Sequence, residues 1–119
     1  MTNPVRRFHV GDRLSEMAIH HGTVYLAGQV PEDETSDIRA QTRQVLAAID
    51  KLLAEAHTDN AHILMAQIFL ADPADFEGMN EVWDDWVAPG DAPPRASASR
   101  APWRAGWRLE IVVTAALRV

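Results

Sequence analysis

An arginine and a glutamate near the C-terminal end are the two residues of this chain best suited to chemistry. Arg95 follows Pro93-Pro94 and opens the run Arg95-Ala96-Ser97-Ala98-Ser99, and Glu110 lies inside Arg108-Leu109-Glu110-Ile111-Val112-Val113-Thr114. A guanidinium is a planar fork of N–H donors that holds a carboxylate through two parallel bonds and stays charged at any working pH. A carboxylate beside it can orient a water or take its proton. The pair therefore points to an anionic ligand on which water or a proton is moved.

Both runs alternate as strands do. Arg95, Ser97 and Ser99 share one face of the first, with Pro94, Ala96 and Ala98 on the other, where the alanines can pack under a helix. In the second, Leu109, Ile111 and Val113 oppose Glu110, Val112 and Thr114. Residues 100–107 between them contain Pro102 and Gly106 and read as a loop. An antiparallel hairpin centred on Pro102-Trp103 would set Arg95 about opposite Glu110 on the less apolar face of a sheet. The same placement also describes a cross-strand ion pair that only supports the sheet, and these residues alone leave both readings open.

The rest of the chain supplies the frame. With 119 residues, one domain spanning 1–119 is expected. The net charge is -6 and no basic patch carries interleaved aromatics, which argues against a nucleic-acid surface. There is no cysteine, hence no thiolate nucleophile or thiolate metal site. Met1–His9 has no apolar core of signal-peptide length and no apolar run is long enough for a bilayer, so no membrane partner is expected and a cytoplasmic location is.

In chain order, Arg6–Val10 reads as a short edge strand, then Ser15–His20 and Thr23–Val30 as a hairpin turning at His21-Gly22. The second of these is apolar on both faces, which calls for cover on both sides. Gly28 marks either a bulge or close approach by a backbone or ligand, or else the end of the strand before the Pro31 loop. Thr35 or Ser36 can cap a helix with Asp37 in its first turn. Ile38, Thr42, Val45, Leu46, Ile49, Leu52, Leu53 and Ala56 then recur at helical spacing over about five turns, a core stripe. His62–Leu70 is the most apolar strand. Strand, helix and strand in succession predict a right-handed parallel crossover. Asp72 caps a second helix with Pro73 at its first position, and Phe76, Met79, Trp83 and Trp86 form one face of it.

The order is β-β-α-β-α-β-β, with the Arg6 strand as a possible extra: an α+β fold, a mixed sheet with two helices on one face. Two helices cover one face only, so the apolar side chains on the other predict an oligomer, with a ligand cleft between subunits lined by Arg95 and Glu110. Other chemistries find little support. The five histidines show no ligand spacing on a common helix face. There is no phosphate-cradling glycine loop. Ser97 and Ser99 have no histidine near in sequence. Asp84-Asp85 reads as a solvated helix face, and Trp103 and Trp107 as packing or interface anchors.

Several of these stretches together resemble the reactive-intermediate deaminase family (Rid, also called YjgF). They are Tyr25-Leu26-Ala27-Gly28-Gln29-Val30, Gln41-Thr42, Ile68-Phe69-Leu70-Ala71-Asp72, Asp75-Phe76, Met79-Asn80, Ala92-Pro93-Pro94-Arg95 and Leu109-Glu110-Ile111. The last two are the specific ones. The resemblance covers nearly the whole chain. It implies a homotrimer of chorismate-mutase-like fold with clefts between subunits, which hydrolyses enamines and imines to 2-oxo acids and ammonia. It implies a small-molecule carboxylate substrate held by Arg95, with Glu110 positioning the attacking water and Gly28, Ala27 and Ser97 contributing to substrate binding. It implies no metal and no organic cofactor. Three positions depart from the family pattern: Ala27 stands where many members have serine, Ser97 where many have cysteine, and Leu14 near where the family has tyrosine. They bear on substrate preference and on whether activity is retained. Two other functions compete with the deaminase. One is a non-catalytic module that binds a 2-oxo acid. The other is a chorismate-mutase-type enzyme, which needs more cations around two carboxylates than Arg95 provides.

Overall fold

A computed structural model describes residues 4–118. Residues 1–3 and Val119, and with them the start of the Met1–His9 segment, lie outside the described residues.

The N-terminal alternation folds into three antiparallel strands. β1 (Arg6–Val10) pairs with β2 (Ser15–His20), which pairs with β3 (Thr23–Leu26), setting Ile19 opposite Val24 and Met17 opposite Leu26. His21 and Gly22 turn the hairpin with positive φ angles of 50° and 78°, the backbone hand that matches strand twist. β3 is shorter than the expected Thr23–Val30. The chain leaves the ladder after Leu26 and returns for a single bridge, Gln29 to Ile111, with N–H···O bonds of 2.9 and 3.1 Å.

α1 (Ile38–Glu55) buries the expected stripe and adds Gln41, which is fully buried. Its cap is Asp37, whose carboxylate accepts from Ala40 N at 2.9 Å, and not Thr35 or Ser36. Those two hydroxyls donate to Asp33 instead, at 2.6 and 2.9 Å, because a carboxylate two or three residues upstream is a nearer acceptor in a turn. A 3-10 turn, Asn60–His62, leads into β4 (Ile63–Leu70). Asp72 then caps the 3-10 turn Pro73–Asp75, which runs into α2 (Phe76–Trp86). Met79, Val82 and Trp83 of α2 are buried, and Phe76 stays partly exposed at the rim. β5 (Arg95–Ser99) and β6 (Leu109–Ala116) complete the fold.

The six strands form one mixed sheet in the order β1-β2-β3-β6-β4-β5. β4, α2 and β5 make a parallel crossover between neighbours, and β6 runs antiparallel to both β3 and β4. The expected β5–β6 hairpin does not form, because β4 lies between its two strands. The reason is burial. β4 carries apolar side chains toward both faces, so an inner position removes more of its surface from water than an edge would. Residues 100–108 are long enough to cross it.

Both helices pack on one face, where Ala66, Ile68 and Leu70 of β4 and Leu109, Ile111 and Val113 of β6 are buried. The opposite face presents Ala18, Tyr25, Thr114 and Met65 along one row, and Gln67 and Val112 along the next. Tyr25 is 52% exposed and Met65 41%. The cover on both sides that the sequence called for is therefore present on one side of this chain. No helix among the described residues is long and apolar enough to cross a membrane.

Candidate functional site

The sheet register separates the two residues singled out first. Arg95 pairs with Ala66 and Glu110 with Phe69, three rungs further along β4. Three rungs is roughly 10 Å along a strand, and an odd offset puts the two side chains on opposite faces. Arg95, Ser97 and Ser99 share the rungs of the buried Ala66, Ile68 and Leu70, so they lie on the helix side, and Ala96 and Ala98 lie on the open side. This reverses the assignment made from polarity. A small or polar face is no guide on an edge strand, where the helices do not reach far enough to bury it.

Arg95 docks onto α2. Its guanidinium carbon lies 5.3 Å from the ring centroid of Trp83 and 5.7 Å from that of Phe76, an attraction between cation and ring face. Asn80 lies one turn from both rings and has a buried Oδ1 with no protein donor among the described residues. Arg95 is half-buried and forms no ion pair with any carboxylate among the described residues. Ser97 lines a shallow apolar groove beside it with Leu70, Pro73 and Phe76.

Glu110 belongs to a different constellation on the open face. Gly28 faces it so closely that a Cβ built there would overlap Oε2 and lie 2.8 Å from Cδ. The strand has ended before Gly28, as one of the two readings had it, and what comes close to the glycine is the Glu110 side chain and not a backbone. Arg100 Nη2 donates to Glu110 Oε1 at 2.5 Å, and the Arg100 guanidinium carbon sits 4.0 Å from the Phe69 ring centroid. A cavity of about 20 Å³ lies against Glu110, lined by Phe69, Arg100, Trp103 and Trp107 among others. That is room for one water. Ala27 lies next to Gly28 and lines an open groove of about 450 Å³ with Leu14, Arg7 and Arg13. The structure therefore joins Gly28 and Glu110, places Ala27 beside them, and leaves Arg95 and Ser97 elsewhere on the chain.

Arg100 is the residue that sequence reasoning missed. It continues the parity of Ala96 and Ala98, and its N–H bonds to Leu70 O at 2.9 Å, extending the ladder one step past β5. Its face would have been legible had that parity been assigned to the open side. The loop after it is held from α1: Gln41 Nε2 donates to Gly106 O at 2.8 Å, and Arg108 N donates to Gln41 Oε1 at 2.8 Å. Arg104 pairs with Glu34 at 2.7 Å. Gln41 Nε2 also donates to Ser36 O at 3.1 Å, and a fully buried amide bonded to both segments fixes the loop relative to the helix.

Comparison with known proteins agrees with this architecture. Residues 6–117 match a family profile described as Endoribonuclease L-PSP. A RutC family protein of Haemophilus ducreyi is 50% identical over 113 residues, spanning 95% of this chain and 97% of the relative. A crystal structure of a YjgF-family protein from Neisseria meningitidis superimposes with a TM-score of 0.95 at 43% identity, covering 98% of this chain and 97% of that one. A Rid-family protein of unknown function from Yersinia pestis does so with a TM-score of 0.84 at 28% identity, covering 91% and 90%. The fold and these matches lead to one conclusion: the chain belongs to the Rid/YjgF family.

Proposed function

We propose that this protein is an imine and enamine deaminase that converts 2-imino acids to 2-oxo acids and ammonia, working as a homotrimer with its clefts between subunits. The observation that carries this reading is the Glu110 carboxylate, set over Gly28 and bordering a space the size of one water on its Arg100 side. Arg95 on the opposite face has no carboxylate partner among the described residues and is a cation of the kind that receives a carboxylate. Because one chain points the two residues apart, they meet on a ligand only when Arg95 comes from a neighbouring copy. The exposed Tyr25 and Met65 on the open face support such an assembly.

The chemistry asks little beyond placement. An iminium carbon is already electrophilic, so the protein has to hold the imino acid and one water in line. Arg95 binds the carboxylate. Water attacks the carbon, a C–O bond forms, and the water's proton passes to Glu110. Glu110 returns that proton to nitrogen. The C–N bond then breaks, C=O forms and the remaining hydroxyl proton passes to the departing ammonia, so iminium plus water gives a 2-oxo acid and ammonium. Gly28 brings no side chain of its own, so the Glu110 carboxylate lies against its backbone and the ligand is bound beside the two. Ala27 and Ser97 border the cleft, one from each subunit.

The test couples an amino-acid oxidase to trapping of the released imine by semicarbazide, over a panel of amino acids. Added protein should lower the trapped fraction in proportion to its concentration. No effect with any amino acid overturns the deaminase reading, and tight binding of a 2-oxo acid without turnover would identify a binding module. Light scattering at micromolar concentration should give three times the chain mass; a stable monomer removes the intersubunit cleft.

Gly28→Ala tests the close approach. The atom in its way is the free end of a flexible carboxylate, so the fold can absorb the methyl by moving Glu110. A melting temperature within a few degrees of wild type is expected. A displacement of about 1 Å should still lower kcat/KM by about 10- to 100-fold. Full activity would mean that the position of Glu110 is not critical.

A further inference from the structure

The two oxygens of Glu110 have different surroundings. Oε1 accepts from Arg100 Nη2 at 2.5 Å, the only hydrogen bond this side chain makes among the described residues. Oε2 lies in the space that a side chain at position 28 would occupy. Building on the deaminase reading, we infer that Arg100 is a positioning residue: it clamps Oε1 and so fixes the direction in which the carboxylate meets the water and the substrate.

Three features support this. Arg100 is itself held in place. Its backbone is tied to Leu70 O, and its guanidinium stacks on Phe69 at 4.0 Å, which fixes the plane of the fork. Glu110 is the less exposed partner, its side chain 24% accessible against 43% for Arg100. A surface pair of this kind adds little to stability, so its value lies in orientation. Finally, an unclamped glutamate has three rotatable side-chain bonds, and a carboxylate that must meet a water within hydrogen-bond reach loses rate when it wanders. The loop that follows Arg100 is pinned by Gln41 through Gly106 and Arg108, so the clamp rests on a fixed scaffold.

The experiment uses the full-length protein and the oxidase-coupled imine assay. Arg100→Gln is expected to lower kcat about 10- to 100-fold, with KM for the imine and Kd for pyruvate each within about twofold of wild type. Arg100→Lys should recover part of kcat, since an ammonium reaches one carboxylate oxygen without the planar fork. In a Glu110→Gln background the Arg100→Gln change should add almost nothing, because both act through one group. An unchanged kcat overturns the inference. A rise in KM and in pyruvate Kd with kcat kept would make Arg100 a ligand receptor instead. Additive losses in the double variant would make its role a structural one, separate from Glu110. Wild-type protein runs alongside: if it fails to consume any imine, the deaminase reading fails and the positioning role falls with it. An active wild type with an unaffected Arg100→Gln variant removes the positioning role alone.

Discussion

Arg95→Ala is expected to leave a folded oligomer and to lower kcat/KM on 2-imino acids by about 30- to 1000-fold, the loss of one charge-assisted bidentate contact worth on the order of 2–4 kcal/mol. The side chain is suited to that role by its surroundings. Pro93 and Pro94 restrict the backbone leading into β5, and Ala66 N bonds to Pro94 O at 3.0 Å, anchoring the strand just before the arginine. The rings of Phe76 and Trp83 support the guanidinium from below. Their removal as partners costs about 0.5–1 kcal/mol at exposed sites, too little to unfold the domain. Arg95→Lys should recover only part of the activity, because an ammonium cannot reproduce the fork. Circular dichroism and light scattering must accompany the kinetics. If the alanine variant unfolds or dissociates, Arg95 is structural; if it is fully active, the carboxylate receptor lies elsewhere.

Glu110→Gln is expected to lower kcat by about 100-fold or more, within the range of a lost general base, while pyruvate still binds. The amide keeps the size of the side chain and can still accept from Arg100 through its oxygen, but it cannot take a proton from water. Unchanged turnover would reduce Glu110 to a sheet residue beside Phe69. Opposed faces for Arg95 and Glu110 add a sharper outcome. On the proposed intersubunit cleft, neither the Arg95→Ala nor the Glu110→Gln protein is expected to have an intact site, and a mixed trimer is expected to have one, formed by Arg95 from one subunit and Glu110 from another. Random co-assembly in equal amounts should therefore restore about a quarter of wild-type activity. No recovery from demonstrably mixed trimers would place both residues in a cleft within one chain, against the sheet register.

Local pattern and tertiary pairing contributed different parts of this account. The residues themselves determine the elements. Alternation marks 15–20 and 95–99 as strands, Gly11-Asp12 ends the short edge strand 6–10, the 3.6-residue stripe from Ile38 to Leu53 marks α1, and Asp72-Pro73 starts the second helical segment. They also determine which side chains share a face of their own strand, and they identify an arginine fork and a carboxylate as the groups able to act. Pairing between distant segments decides the rest. Parity within a strand says that Arg95, Ser97 and Ser99 go together, but which side of the sheet they take depends on the neighbour they pair with, and a shift of one rung inverts it. That neighbour is β4, drawn inward because it is apolar on both faces, and it divides what looked like a hairpin. Its placement sends Arg95 toward α2 and Glu110 toward the open face and brings Arg100 to the glutamate from one side, while the pairing of β6 with β3 and Gln29 brings Gly28 from the other. No local signal carries this outcome, because the burial of β4 that favours it is summed over contacts between segments far apart in the chain.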